Sequence, residues 1–268
     1  MSKLDFTIGP RLGHRANLGL IVLRTDETLE FEARRILLGD GVAHYVSRVP
    51  CQSTVTLDAL AEMEAEIPRA VSLLPYEHPF DVIGYACTSG ATRIGPEKVD
   101  AAIRKGARTT HTTNPLTAMI AATRALDIRR IGFVTPYLPE VSQAMRNRLE
   151  EAGLEIAGFG SMEEERDSRV ARIDARSILE AIRTVAQARP CDAVFLSCTN
   201  LRALDLIAPL EAELGIHVLT SNQVLLWHML EIAGQPNNDA PYGALMRTRL
   251  PPRWHPDRQT RACSLITE

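Results

Sequence analysis

Short apolar runs alternate with longer amphipathic stretches along most of this chain, the pattern of strands joined by helices in a parallel sheet. Leu18 to Leu23 is a continuous apolar run of the kind buried on both faces, and a helix-like stretch follows from about Thr28 to Leu37. Ala43 to Val49 reads as a second strand. Between Leu57 and Leu74 apolar residues recur at helical spacing (Leu57, Leu60, Ala61, Met63, Ile67, Ala70, Val71, Leu74), with Asp58, Glu62, Glu64 and Glu66 elsewhere on the helix surface. Val82 to Ala86 is the next strand, and Ala107 to Thr112 another. Asn114 followed by Pro115 marks a helix start, because Asn caps and Pro at the first turn lacks only an unpaired amide. That helix runs to about Leu126. The alternation repeats with strand Ile131 to Thr135, helix Pro139 to Ala152, strand Leu154 to Phe159, helix Ala175 to Gln187 and strand Ala193 to Ser197. Strand His217 to Thr220 and helix Asn222 to Ala233 close it.

Such alternation implies an α/β fold with right-handed crossovers and a ligand site beyond the carboxyl ends of the strands. The pattern passes through two similar cycles. It therefore predicts two doubly wound, parallel-sheet domains, residues 1–113 and 114–220, with 221–268 returning to pack on the first. Two segments stand outside the scheme. Residues 161–172 are densely and oppositely charged and read as a solvated face rather than a substrate lid. Residues 235–268 contain Pro236, Pro241, Pro251, Pro252 and Pro256, which predicts an extended arm, either wrapped on a partner or loose.

Composition narrows the function classes. A chain of 268 residues with 45% hydrophobic content can bury one large core or two medium ones. A formal net charge of −3 gives no electrostatic case for nucleic acid or an anionic membrane. The first 17 residues carry Lys3, Asp5, Arg11, His14 and Arg15 and lack a continuous apolar core for a secretory signal. No apolar stretch approaches the roughly 20 residues that span a bilayer. The expectation is a cytoplasmic protein acting on small molecules. Five cysteines, at 51, 87, 191, 198 and 263, contain no CxxC pair, so reduced thiols are expected rather than disulfides or structural zinc.

Two of those thiols stand in near-duplicate settings. Asp81 opens an apolar run that ends in Cys87, Thr88 and Ser89; Asp192 opens one that ends in Cys198, Thr199 and Asn200. Each run reads as a buried strand that delivers a thiol to a loop. No GxGxxG follows the first strand, and GxxxxGK[ST], HExxH and GxSxG are absent, which removes the usual support for nucleotide, zinc-protease and serine-hydrolase chemistry. A thiolate is a base and a nucleophile, and amides at a helix start lower its pKa and attract carboxylates. Hydroxyls, a side-chain amide and free backbone N–H groups beside each thiol suit proton abstraction next to a carboxylate, where positioned donors must meet the charge that develops.

These residues resemble the aspartate/glutamate racemase superfamily, in its maleate isomerase and arylmalonate decarboxylase branch, from about Leu18 to Gly234. The resemblance rests on Gly19 to Val22, Cys87 to Thr92, Val134 to Tyr137 and Ser197 to Asn200. Thr25 to Glu30, taken with the cysteine loops, looks most like the racemase-like proteins encoded with ectoine-utilisation genes. The resemblance implies two Rossmann-like domains related by a pseudo-twofold axis, no cofactor, no metal, a homodimer and a site between the domains with one cysteine from each. It places Cys87 and Cys198 as the catalytic pair and Thr88, Ser89 and Tyr137 as donors to a substrate carboxylate. Thr199 supplies the amide after the second cysteine, and Asn200 joins the binding set. The decarboxylases carry Gly where this chain has Cys87, and one thiol suffices for decarboxylation, so Cys87 argues against that reaction.

Asp26 departs from the branch. Maleate isomerases carry Asn at its place, and an ionised Asp repels a substrate carboxylate in a dry site. Amino-acid racemases have Asp there, to hold an ammonium or help deprotonate the adjacent cysteine. The leading expectation is therefore a cofactor-independent two-cysteine racemase or epimerase inverting Cα of a small acidic or amine-bearing amino acid, with ectoine or hydroxyectoine catabolism as its setting. The alternatives are a maleate cis/trans isomerase acting through a covalent cysteine adduct and a non-catalytic metabolite-binding homologue. Asp26 also has the sequence context of a helix cap. Cys51, Cys191 and Cys263 read as structural, as does His111, and Arg93 reads as a surface arginine on the first turn of a helix.

Overall fold

A computed structural model describes residues 2–75 and 77–251. Eight strands form two parallel four-stranded sheets of identical topology. In the first, β1 (Ala16–Leu23), β2 (Val42–Val49), β3 (Phe80–Ala86) and β4 (Thr109–Thr113) lie in the order β2-β1-β3-β4. In the second, β5 (Arg130–Thr135), β6 (Glu155–Ser161), β7 (Ala193–Leu196) and β8 (His217–Thr220) lie in the order β6-β5-β7-β8. Both cysteine-bearing strands, β3 and β7, are interior strands bonded on two sides, so their carboxyl ends are held by neighbours in register.

Ten helices connect the strands: α1 (Leu29–Ile36), α2 (Leu57–Ser72), α3 (Thr88–Ile94), α4 (Pro96–Gly106), α5 (Pro115–Ala125), α6 (Pro139–Glu151), α7 (Asp167–Val170), α8 (Ala175–Ala188), α9 (Ile207–Leu214) and α10 (Ser221–Ile232). The α/β alternation predicted from the apolar pattern is present throughout. Residues 201–216 carry no predicted element and 88–106 only a helix start near Ser89 and Arg93 without bounds, whereas the structure places α3, α4 and α9 there. The extent of α3 is hidden because Gly90 and the β-branched Thr88 and Thr92 are weak helix formers; the helix forms because its start is capped and it packs on α2 and α5.

The repeated aspartates have a structural role. Asp81 Oδ2 accepts the amide of Asn17 at 2.7 Å, and Asp192 Oδ2 accepts those of Arg130 at 2.8 Å and Arg129 at 3.1 Å. Each carboxylate thus ties the start of its strand to the start of the neighbouring strand, at the end of the sheet remote from the cysteine. The helices after the last strand of each sheet are also equivalent. Asn114 caps α5 through the Thr117 amide and Thr220 caps α10 through the Gln223 amide. α5 and α10 pack against each other, and α10 also covers β3 and reaches α1. Its approach to the sheet depends on Gly84, where a Cβ would lie 2.7 Å from Met229 Sδ.

Two expectations change. The charged stretch 161–172 is exposed at only half of its positions, buries Asp167, Val170 and Ala171, and pairs back to the segment before α2 through a Thr54–Arg166 bridge. The described part of the arm is not loose but packs on its own chain. A short 3-10 turn at Ala244–Arg247 buries Leu245 and Met246, while Gln223 donates to the Tyr242 carbonyl and Trp227 to that of Thr248. Pro252, Pro256 and Cys263 lie outside the described residues. Among the described residues, no helix is long and apolar enough to cross a membrane.

Removing one inter-strand fastener tests its contribution. Asp81→Ala leaves the part-buried Asn17 amide without an acceptor and is expected to lower stability by about 1–3 kcal/mol, read as a lower urea midpoint at unchanged m-value.

Candidate active site

β3 ends at Ala86, and Cys87 follows in extended geometry (φ −148°, ψ 116°) as the N-cap of α3. Its Sγ accepts the Gly90 amide at 3.1 Å and lies 3.6 Å from the Ser89 hydroxyl. β7 ends two residues before Cys198, whose Sγ accepts the Asn200 amide at 3.4 Å. After β1 the chain turns at Asp26, whose Oδ1 accepts the amides of Thr28 at 2.9 Å and Leu29 at 2.8 Å. That settles its capping role. Oδ2 is buried without a hydrogen-bond partner on the wall of the same cavity as both thiols. Asp26 therefore both starts α1 and faces the site.

The cavity brings together Asp26, Cys87, Ser89, Tyr137, Cys198, Thr199 and Asn200, all of them expected from the sequence. Thr88 is not on its wall: the hydroxyl donates to Ser221 Oγ at 2.7 Å and links the starts of α3 and α10. Thr199 directs its hydroxyl to the Ala86 carbonyl at 3.5 Å, tying the second cysteine loop to the end of β3. Asn200 is engaged with the protein itself. Its Oδ1 accepts the Glu27 amide at 2.8 Å and its Nδ2 donates to the carbonyls of Asp167 at 3.0 Å and Thr25 at 3.4 Å. The Tyr137 phenol is buried beside Ser89 and Cys198, and the Tyr137 carbonyl accepts the Ser142 and Ser161 hydroxyls.

Sequence reasoning missed the polar wall residues Cys51, Gln52, Thr54 and Asp167. Asp167, carried in by the charged segment, accepts the Thr25 hydroxyl at 2.5 Å; Cys51 lies 3.4 Å from that same hydroxyl. Nothing local marked Asp167, because its burial depends on residues 165–167 docking against residues 53–55 through backbone bonds. Val55, Leu60 and Met63 close one side with apolar surface. Among the described residues, no lysine, arginine or histidine lines the cavity.

Burial dominates the electrostatics. Cys87 is 3% exposed and Cys198 5%. The expected lowering of the thiol pKa by helix amides is overturned. Desolvation pushes Cys87 up to about 12, against the smaller opposing effects of Ser89 and the Gly90 amide. Desolvation and the Asp167 charge push Cys198 up further, against a hydrogen bond from Tyr137. Both thiols rest protonated at neutral pH. Asp26 is pushed up to about 6 by burial, partly offset by the Leu29 and Thr28 amides, and Asp167 is raised for the same reason. The site is thus a dry chamber with two neutral thiols and two carboxyls that hold protons more readily than carboxyls in water.

A family model described as arylmalonate decarboxylase matches residues 97–246. The chain is 26% identical over 240 residues to a maleate isomerase of Nocardia farcinica (strain IFM 10152), covering 86% of this chain and 95% of that protein. It is 30% identical over 135 residues to the arylmalonate decarboxylase of Bordetella bronchiseptica, covering 50% of this chain and 56% of that protein. The solved structure of a mutant Nocardia farcinica maleate cis-trans isomerase with a covalently bound succinylcysteine intermediate superposes with a TM-score of 0.78 at 24% identity, over 87% of this chain and 98% of that one.

Two substitutions probe the chamber. A Cβ at Gly90 would lie 2.9 Å from Cys87 Sγ and 2.7 Å from Tyr85 Oη, so Gly90→Ala is expected to displace the thiol and lower kcat by about tenfold or more, with the circular dichroism of the fold retained. The raised pKa of Asp26 makes its stabilising contribution complete below about 4 and lost as pH rises through about 6. Asp26→Asn keeps an acceptor for the α1 amides. It is expected to raise stability at pH 7 by on the order of 1–3 kcal/mol, a gain that vanishes toward pH 4 in paired denaturation curves.

Proposed function

The chain belongs to the arylmalonate decarboxylase family, and we propose that within it this protein is a cysteine-dependent cis/trans isomerase of a small unsaturated dicarboxylate of the maleate type. The observation that carries this reading is the presence of two buried thiols, one from each sheet, on the wall of one cavity. It draws support from the maleate isomerase relative, which matches nearly end to end, and from the succinylcysteine formed in a protein of that activity.

Cys87 is the better nucleophile of the pair. Its sulfur accepts the Gly90 amide at 3.1 Å and sits beside the Ser89 hydroxyl, and burial raises it less than Cys198. Its proton leaves to a carboxylate of the cavity wall. The sulfur then bonds to one alkene carbon, and the π pair moves onto the other carbon and its carboxylate. Ser89, Tyr137 and the amide of Thr199 are placed on the wall to donate to those oxygens, and Cys198 can lend a proton to the anionic carbon and take it back. Rotation about the new single bond and departure of the sulfur give the trans diacid. Asp26, protonated below about pH 6, donates where its anion would repel the substrate.

A second reading follows from one observation: Asp26 and Asp167 line the cavity and, among the described residues, no cationic side chain does. Two carboxyls suit an ammonium, which would hold both of them ionised. The same thiols would then invert Cα of an amine-bearing acid, one removing the proton and the other returning it to the opposite face. The ectoine-utilisation resemblance belongs to this reading.

Incubation with maleate is expected to yield fumarate, followed by proton NMR, and Cys87→Ser is expected to lower kcat by at least about a thousandfold. Absence of conversion by the unaltered protein sinks the first reading. The two are separated by Asp26→Asn, which is expected to lower KM for maleate near pH 8 on the first reading. On the second it abolishes solvent-deuterium incorporation at Cα of an amino-acid substrate.

A further inference from the structure

The two thiols are not anchored in the same way. Cys87 is held by its own helix, through the Gly90 amide three residues on. After Cys198 the chain makes a turn and does not enter a 3-10 turn until Leu204–Leu206, so the second thiol has no helix of its own and only the Asn200 amide, at 3.4 Å, as a local donor. Several of the groups that hold its loop come from the other half of the molecule. Glu32, buried on α1, accepts the amides of Ala203 and Leu204 with Oε1, each at 3.1 Å. Its Oε2 accepts Nδ2 of Asn222, on the first turn of α10, at 2.7 Å. The same Nδ2 donates to the Thr199 carbonyl at 2.8 Å.

The orientation of that amide is informative. Asn222 is fully buried, and its Oδ1 has no partner, an arrangement that protein interiors usually avoid. Turning the amide over would set its oxygen against both the Glu32 carboxylate and the Thr199 carbonyl. In this orientation its two N–H bonds bridge Glu32 to the peptide joining Thr199 to Asn200. Thr28 adds a bond from its hydroxyl to the Asn200 carbonyl at 2.9 Å. α1 and its N-cap therefore hold the loop at Asn200 and again at Ala203 and Leu204.

We propose that Glu32 and Asn222 are positioning residues for Cys198: the carboxylate of the first half, acting through the Asn222 amide on the Thr199 carbonyl, sets the direction in which the second thiol enters the cavity. Neither side chain lines the cavity, and neither touches the reacting atoms. The inference rests on the two-thiol reading of the site, whichever substrate that site takes. Cys87, anchored locally, is the internal control.

The test uses the full chain carrying Glu32→Gln, which keeps the volume and the acceptor for Ala203 and Leu204 but sets one NH2 group against another at Asn222. Alkylation by iodoacetamide is followed at each cysteine separately by peptide mass spectrometry, alongside kcat and KM for maleate. The expected result is a change of at least about fivefold in the Cys198 rate with the Cys87 rate held within about twofold. A fall in kcat of about 10- to 100-fold at nearly constant KM accompanies it. Asn222→Ala is expected to do the same, and decides by the same criteria where the first variant does not fold. Equal acceleration of both thiols means general loosening and overturns the proposal, as does an unchanged ratio of the two rates. Because the thiol ratio needs no substrate, it stands apart from failure of the maleate reading, which shows as inactivity of the unaltered protein.

Discussion

Desolvation of ionisable groups is the constraint on which the rest of this structure depends. Two thiols and two carboxyls share a cavity with, among the described residues, no cationic side chain on its wall, and burial drives all four toward their neutral forms. Each is tolerable only because a nearby donor meets it: the Gly90 amide at Cys87, the Asn200 amide at Cys198, the α1 amides at Asp26 and the Thr25 hydroxyl at Asp167. Those donors come from the starts of helices and turns that follow the strands, which is where a parallel sheet places its free amides. Fold and chemistry thus share one origin.

Two resting thiols that keep their protons have a chemical consequence. A thiol with its pKa near 12 is a poor nucleophile until a proton acceptor arrives or the surroundings change. Substrate is what changes them, by filling the chamber, altering the charge balance with Asp26 and Asp167, and presenting a carbon within reach. Proton transfer is thereby coupled to binding, and the unliganded thiols are shielded from adventitious oxidation or alkylation.

The two halves repeat one plan but divide its duties. Strand order, the aspartate that fastens the first residues of adjacent strands, and the capped helix after the last strand recur in both. The cysteine loops do not match. One thiol caps a helix; the other lies in a turn tied to the opposite half by Glu32, Asn222 and Thr28. Repetition supplies two similar strands, and the unlike segments at their carboxyl ends make two inequivalent thiols.

The sequence by itself determined the strands, the α/β alternation and the pair of thiols, because buried parallel strands are written as local apolar runs and the cysteines end two of them. Short-range context marked Asp26 as a cap and the family resemblance pointed to Asp26 and Tyr137 as site residues; Asp26 proved to be both cap and wall. The extent of α3 was illegible because Gly90 and two threonines argue against a helix that is secured by its cap and by packing on α2 and α5. Asp167 and Cys51 reach the wall, and Thr88 turns to Ser221, through contacts between segments distant in the chain. Thiol ionisation was misread for the same reason. Helix amides are a local feature, whereas the solvent exclusion that outweighs them belongs to the assembled cavity. Only the tertiary structure decided which polar groups lost water, and that loss sets their charge.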